Sequence, residues 1–259
     1  MAENEKKKMT LWEQAVENAL RFAFNLAFVF VFQSIFGVQN VLPGVAIGVG
    51  MTMFPDGYIG VKPVTMAGII IGLYCGCVLA GQTALMPPAA AFGIDFLFVL
   101  LIMVLTCEPA MYKPAISFLL CFVFAQSTPV PAGAFPIRLA GAAAGGAAVA
   151  VTTVIKWYWN GHGKDGRSLK EQIQLCTVRK GYILRMSVGI AAAMFIGMVL
   201  HLKKPLWISI VVMSLTQLHY HETLERIRHR FLGNVLGILF FVVVFRMLVP
   251  ESWAFGMVL

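Results

Sequence analysis

Runs of mostly apolar residues, many about as long as the ~20 residues that a helix needs to cross a bilayer, recur along this chain and leave it few ways to fold. The longer ones are Leu20 to Phe36, Val64 to Ala80, Ala91 to Cys107, Ile137 to Ile155, Tyr182 to Leu202 and Phe231 to Val249. Shorter ones are Pro43 to Phe54, Pro114 to Gln126 and Pro205 to Leu218, and a tenth begins at Trp253. The runs are too long for spanning strands and do not alternate. Of the 259 residues 59% are hydrophobic and 12% charged. A soluble domain carries about 25% charged residues, so these cannot cover a globular surface. The predicted fold is all-α: a polytopic transmembrane helical bundle.

The net charge of +8 raises the question of nucleic acid. The Lys and Arg residues lie between the apolar runs, so they read as topology signals and the expected partner is the lipid bilayer, not nucleic acid. With the N-terminus inside, 16 of the 20 cationic residues fall on the inner side. The outer side receives only Arg138, Lys203, Lys204 and Arg246. A missed helix would scramble this bias. No cleavage site of small residues follows the charged start Met1 to Lys8, so the first run is expected to be retained. Four of the five cysteines lie inside apolar runs and Cys176 lies in a polar stretch, with no disulfide framework and no metal spacing.

Two helix starts carry a capping box, Thr10-Leu-Trp-Glu13 and Ser168-Leu-Lys-Glu171. They open two similar stretches. In each, a cationic residue (Arg21, Arg185) leads into a long apolar run. A short run opened by proline follows (Pro43, Pro205), with a Met-hydroxyl pair (Met51-Thr52, Met213-Ser214). Glycines four apart come next (Gly68 and Gly72, Gly233 and Gly237). Six helices separate the copies, an even number, so the expected repeats are parallel. The predicted organisation is a six-helix transmembrane module over 1–156, a cytoplasmic linker over 157–181, and the first part of a second parallel repeat over 182–259. Gly44 and Gly48, Gly68 and Gly72, and Gly141 and Gly145 are expected to let helix backbones approach closely.

Arg138-Leu-Ala-Gly141-Ala-Ala-Ala-Gly145 and Arg230-Phe-Leu-Gly233-Asn-Val-Leu-Gly237 share the form Arg-x-x-Gly-x-x-x-Gly, and the second follows Pro205-Leu-Trp207-Ile-Ser and a basic loop. This order resembles the fusaric acid resistance and aromatic acid exporter superfamily, bacterial membrane proteins related to plant aluminium-activated malate channels. The resemblance covers about residues 14 to 156 as one module and about 180 to 259 as the first half of a second. There are departures. Thr65 stands where the family usually has Arg, and Leu42-Pro43-Gly44 lacks the Trp found at Trp207. The run from Trp253 to Leu259 gives only about 10 Å of helix, too little to cross about 30 Å of hydrocarbon. The expectation is a longer native protein, or an oligomer that shields these helices. A homo-oligomer is a partner to consider.

Candidate site residues follow from buried polarity. Asp95 is an ionisable residue inside a span, where charge is costly and often functional. Arg138 opens the sixth span on the same outer side. The two form either a proton-coupling site, if burial governs Asp95, or an ion pair that ties two helices together. Thr52, Ser214, Thr216 and Gln217 lie on short, proline-led spans at matching places, the best sequence pointer to a substrate site. The alternative for the hydroxyls is back-bonding to their own helix carbonyls. Arg226, Arg228 and Arg230 are inner-face anchors to anionic lipid or gather small organic anions. His219, His221 and Glu222 are too few to complete a metal site. No nucleotide loop, nucleophile elbow or paired catalytic carboxylate is present, so neither an enzyme nor a cofactor is expected. The resemblance implies a secondary transporter that exports small organic or aromatic acids across a bacterial cytoplasmic membrane. Its alternatives are an anion channel and a non-transporting membrane scaffold.

Overall fold

The structure, a computed structural model, describes residues 11–53, 59–106, 108, 114–161, 166–202, 205–216, 218 and 220–248. Among them the secondary structure is helical, apart from one isolated bridge between Val61 and Arg167. The helices are α1 (Leu11–Phe36), α2 (Val41–Met53), α3 (Pro63–Ala80), α4 (Pro88–Leu105), α5 (Ala115–Ser127), α6 (Phe135–Trp159), α7 (Leu169–Val199), α8 (Leu206–Leu215) and α9 (Tyr220–Leu248). The all-α polytopic bundle read from the apolar runs is what the chain forms. Five helical stretches, Trp12–Phe36, Pro63–Leu85, Pro88–Leu105, Ala132–Trp159 and Leu169–Val199, are long and apolar enough to cross a membrane. The chain divides into two compact units, Met1–Met213 and Ser214–Leu259.

Proline sets several of these boundaries. Pro63 and Pro88 open α3 and α4, and Pro136 lies in the first turn of α6. Proline fits there because the first-turn amides lack intrahelical acceptors anyway. At α7 the second capping box forms in full, with Ser168 and Glu171 each bonded to the other's backbone amide. The helix therefore starts at Leu169, well before the apolar run at Tyr182. Nothing between them breaks the helical path, so the polar stretch is the first half of α7. Thr10 of the other capping box lies outside the described residues.

Within the first unit, α5 is the most enclosed helix, with nine of its 13 residues buried. It packs on α2 and α3, while α3 also packs on α6, and α4 on α7. Helices α2 and α5 have 13 residues each, about 20 Å of rise, against a hydrocarbon core of about 30 Å. Phe28, Phe32 and Phe36 of α1 recur every four residues and so share one face. That face lies on glycines. A Cβ at Gly48 would come 3.1 Å from Phe28, one at Gly44 would meet Phe32, and one at Gly141 would come 3.1 Å from both Phe32 and Phe36. Gly145 faces Ile47, and a Cβ at Gly146 would lie 3.2 Å from the Ile71 Cα. Gly44, Gly48, Gly141 and Gly145 thus make close contacts, but with side chains of the facing helices and not, as expected, with their backbones. Gly68 and Gly72 make none: a Cβ at either would meet nothing within 4 Å. The small residues used there are Gly76 of α3, against Phe98, and Gly81 of the 3-10 turn that follows it, against the α5 backbone.

The polar half of α7 covers the end of α4. Gln172 donates from Nε2 to the carbonyls of Leu105 (3.3 Å) and Glu108 (3.0 Å), Arg179 pairs with the Glu108 carboxylate, and the Cys176 thiol points to the Val104 carbonyl. Gln172 and Cys176 thus meet the Leu105 and Val104 carbonyls of the last turn of α4, where intrahelical partners run out. The outward surface is itself apolar, with Phe22, Phe30, Leu97, Leu101, Val151 and Leu184 exposed. Such a surface suits lipid and not water.

Candidate functional site

Two ionisable side chains are buried where α3, α4, α5 and α6 have their ends on one side of the first unit. Asp95 lies two turns into α4 and is 1% exposed. Thr83, on the 3-10 turn that follows α3, donates its hydroxyl to Asp95 Oδ1 at 2.7 Å. Gln126, near the end of α5, donates from Nε2 to Asp95 Oδ2 at 2.6 Å and to Thr83 Oγ1 at 3.2 Å. Gly81 makes this possible, because a Cβ there would come 2.7 Å from the Ala125 Cβ and 3.0 Å from the Gln126 nitrogen.

Arg138, in the first turns of α6, is also 1% exposed. Its Nε donates to Asn40 Oδ1 at 2.8 Å and its Nη2 to the Gln39 carbonyl at 2.6 Å. Its Nη1 donates to the Thr128 carbonyl at 2.5 Å and, more weakly, to that of Ala125 at 3.4 Å. A guanidinium at a helix C-terminus is favourable because the free carbonyls there carry partial negative charge. Asp95 and Arg138 do not pair with one another. Each is held by neutral groups, and both are tied to the end of α5, Asp95 through the Gln126 side chain and Arg138 through backbone carbonyls. The ion-pair alternative is therefore not the arrangement the chain adopts, because the α5 terminus supplies the partners of both.

The remaining candidates are placed as follows. Thr52 Oγ1 lies 3.0 Å from the Val49 carbonyl and 3.4 Å from that of Gly48, the back-bonded arrangement, and the Asn25 side-chain amide approaches it at 3.5 Å. Ser214 and Thr216 belong to the second unit, where both are half-buried. Gln217 and His219 lie outside the described residues. Arg226, Arg228 and Arg230 stand exposed on the first turns of α9, with Glu222, Glu225 and His229 on the same helix.

Three groups were not singled out by the sequence. Gln126 and Thr83 complete the Asp95 site, and Asn40 completes that of Arg138. Their signal was a polar side chain beside a proline- or glycine-rich break, which many loop residues share. The third is a buried chain of hydroxyls, in which Tyr74 and Ser117 lie 2.5 Å apart and Ser117 donates to the Ala46 carbonyl at 2.9 Å. Ser117 has one hydroxyl hydrogen, so Tyr74 is the donor to Ser117. Along α4 and α7 runs an open groove of about 650 Å³, lined by Leu100, Val104, Cys176, Ile183 and Leu184, with Lys180 bordering it.

No curated protein and no solved structure matches the chain. Residues 191–259, which carry the end of α7 together with α8 and α9, match the family described as fusaric acid resistance protein-like, the family that the sequence motifs resemble.

Proposed function

We propose that the protein is a secondary transporter that exports small organic or aromatic acids from the cytoplasm, in a bacterial cytoplasmic membrane with the N-terminus inside. The family match of residues 191–259 carries this reading. The groove between α4 and α7 supports it, since an apolar wall beside the Lys180 ammonium suits a solute with an apolar body and an anionic head. Asp95 and Arg138 are a costly pair of groups to keep within a lipid-facing bundle, and such residues usually serve a transport path. The cationic turns of α9 favour a second reading, an anion channel whose inner rim gathers anions.

Flux of labelled benzoate-type acids from proteoliposomes tests the readings against each other. Saturable flux that responds to a pH gradient is the expected result. Ohmic current would favour the channel, and neither flux nor current would leave a scaffold. Lys180→Gln is expected to raise KM by up to about fivefold with kcat little changed, the upper worth of one exposed charge contact. An unchanged KM would place the solute elsewhere.

The orientation has its own test. Cys176 is half-buried against α4, so its labelling reports packing as well as side. Gln174 is exposed on the same turn. Gln174→Cys in a Cys176→Ser background is expected to resist an impermeant thiol reagent in intact cells and to react after permeabilisation. Labelling in intact cells would invert the topology.

A further inference from the structure

Three glycines lie inside α7, and two of them have a packing reason. A Cβ at Gly189 would come 2.8 Å from Val212 of α8, and one at Gly197 would meet Pro205, which precedes α8. Gly181 has no such reason. A Cβ there would meet nothing within 4 Å, and its φ is not positive, so a side chain would fit without strain. Glycine inside a helix is less favourable than alanine, because its backbone loses more freedom on folding. The helix gains nothing from Gly181, and what the missing side chain leaves is space. That space belongs to the groove along α4 and α7, whose walls are Leu100 and Val104 of α4 and Ile183 and Leu184 of α7.

Charge and size decide the class of ligand. Of the polar side chains that line the groove, Thr177 bonds its hydroxyl to the Gln174 carbonyl at 2.8 Å, and the Cys176 thiol points at the Val104 carbonyl. Lys180 is exposed and makes no ion pair among the described residues, whereas Arg179 beside it is held by Glu108. Its ammonium is therefore the donor left for an anion. One cation at the border of an apolar trough suits one carboxylate at the end of an apolar body. A second carboxylate would lie on the apolar wall without a partner, which is costly. The groove, at about 650 Å³, falls within the range of about 300–1,000 Å³ typical of sites for drug-sized molecules. A single-ring acid leaves much of it unfilled.

We propose that this groove binds monocarboxylic acids with a fused-ring or long-chain body, with Lys180 on the carboxylate and Gly181 as the residue that sets the size of body admitted. The proposal rests on the reading of the groove as the solute site and names the class of solute. A flat body lies against the bare α7 backbone at Gly181, where a side chain would hold it off. Leu184 of the groove and the neighbouring Leu97 and Leu101 of α4 are exposed on the outward surface, so the groove opens toward lipid. Lys180 stands just before the apolar run that begins at Tyr182, where a charged head reaches the membrane surface. An amphipathic acid dissolved in that leaflet reaches the groove without crossing the protein.

Equilibrium binding to the protein in phosphatidylcholine nanodiscs tests this, with radiolabelled benzoate, naphthoate and a naphthalene dicarboxylate as probes. Naphthoate is expected to bind about tenfold more tightly than benzoate, the worth of burying a second ring. The dicarboxylate is expected to bind at least about tenfold more weakly than naphthoate, since its second charge is stranded. Gly181→Leu fills the space and should remove the advantage of naphthoate while benzoate changes little. Lys180→Gln should weaken naphthoate by up to about fivefold and leave neutral naphthamide unchanged. Benzoate and naphthoate bound alike by the parent, or a preference for naphthoate that persists in folded Gly181→Leu, overturns the proposal. Should Gly181→Leu fail to fold, Gly181→Ala decides: a smaller loss confined to naphthoate supports the site, and unchanged binding overturns it. Displacement of naphthoate by phosphatidylglycerol would assign the groove to an anionic lipid, and a dimer that Gly181→Leu dissociates would assign it to a second copy; either result overturns the proposal. Binding is read without flux, so the two readings fail separately. Size-selective binding without transport would refute the transporter and keep the site, and saturable transport indifferent to Gly181→Leu would do the reverse.

Discussion

Gly50→Ala is expected to destabilise the first unit by about 3 kcal/mol, the upper end of the range for overpacking a filled core. A Cβ at Gly50 would overlap the Tyr74 hydroxyl and come 2.8 Å from Ser117 Oγ. Those two atoms are already bonded to each other, and Ser117 is bonded on to Ala46 of α2. One methyl group therefore acts on the three-way contact of α2, α3 and α5. The measurement is reversible unfolding in detergent, or the melting temperature where unfolding does not reverse. The control is Tyr74→Phe, which removes the overlapping oxygen and costs about 1 kcal/mol for the lost hydrogen bond. In that background Gly50→Ala should cost about 1 kcal/mol or less, a coupling that a double-mutant cycle isolates. Equal costs in both backgrounds would show that the Tyr74 oxygen is not what excludes a side chain at position 50.

Arg138→Gln is expected to cost about 3 kcal/mol or more, because charge-assisted hydrogen bonds contribute about 1.5–3 kcal/mol each and the change strands several acceptors. The carbonyls of Gln39 and Thr128 and the Asn40 side chain all lose their donor, and these groups come from the α1–α2 connection and the end of α5. Arg138→Lys should rescue little, since one ammonium cannot reach acceptors in three directions as the planar guanidinium does. Asp95→Asn supplies the sharper contrast. If the two residues formed an ion pair, neutralising both would cost less than the sum of the parts. With separate partners for each, the double variant Asp95→Asn, Arg138→Gln is expected to add within about 0.5 kcal/mol. Rescue of either variant by the other would overturn the separation of the two sites.

Much of the architecture could be read from the chain itself. Bilayer length, apolar runs and proline positions place the long helices, because a span must satisfy its own backbone polar groups in lipid whatever its neighbours do. The Ser168 capping box is equally local, and α7 starts where it predicts. The glycine pattern was half legible. A spacing of four puts two glycines on one face, but only the neighbours decide which faces meet, so Gly141 and Gly145 are packed while Gly68 and Gly72 are open.

Side-chain partnership belonged to the tertiary structure. The sequence marks Asp95 and Arg138 as costly in an apolar span, since the cost depends on the residue and the medium. It does not say that Gln126 reaches Asp95 from 31 residues away, or that Gln39 lies 99 residues from the guanidinium it receives. Hydrogen bonds require a few tenths of an ångström and a direction, and the crossing of separate helices sets both. The same holds for Ser209, an ordinary hydroxyl in an apolar run until α5 and α7 close around it and leave it beside Gln126. Composition and period fix what must be buried because those are properties of each residue, whereas which buried groups meet is a property of the packed helices.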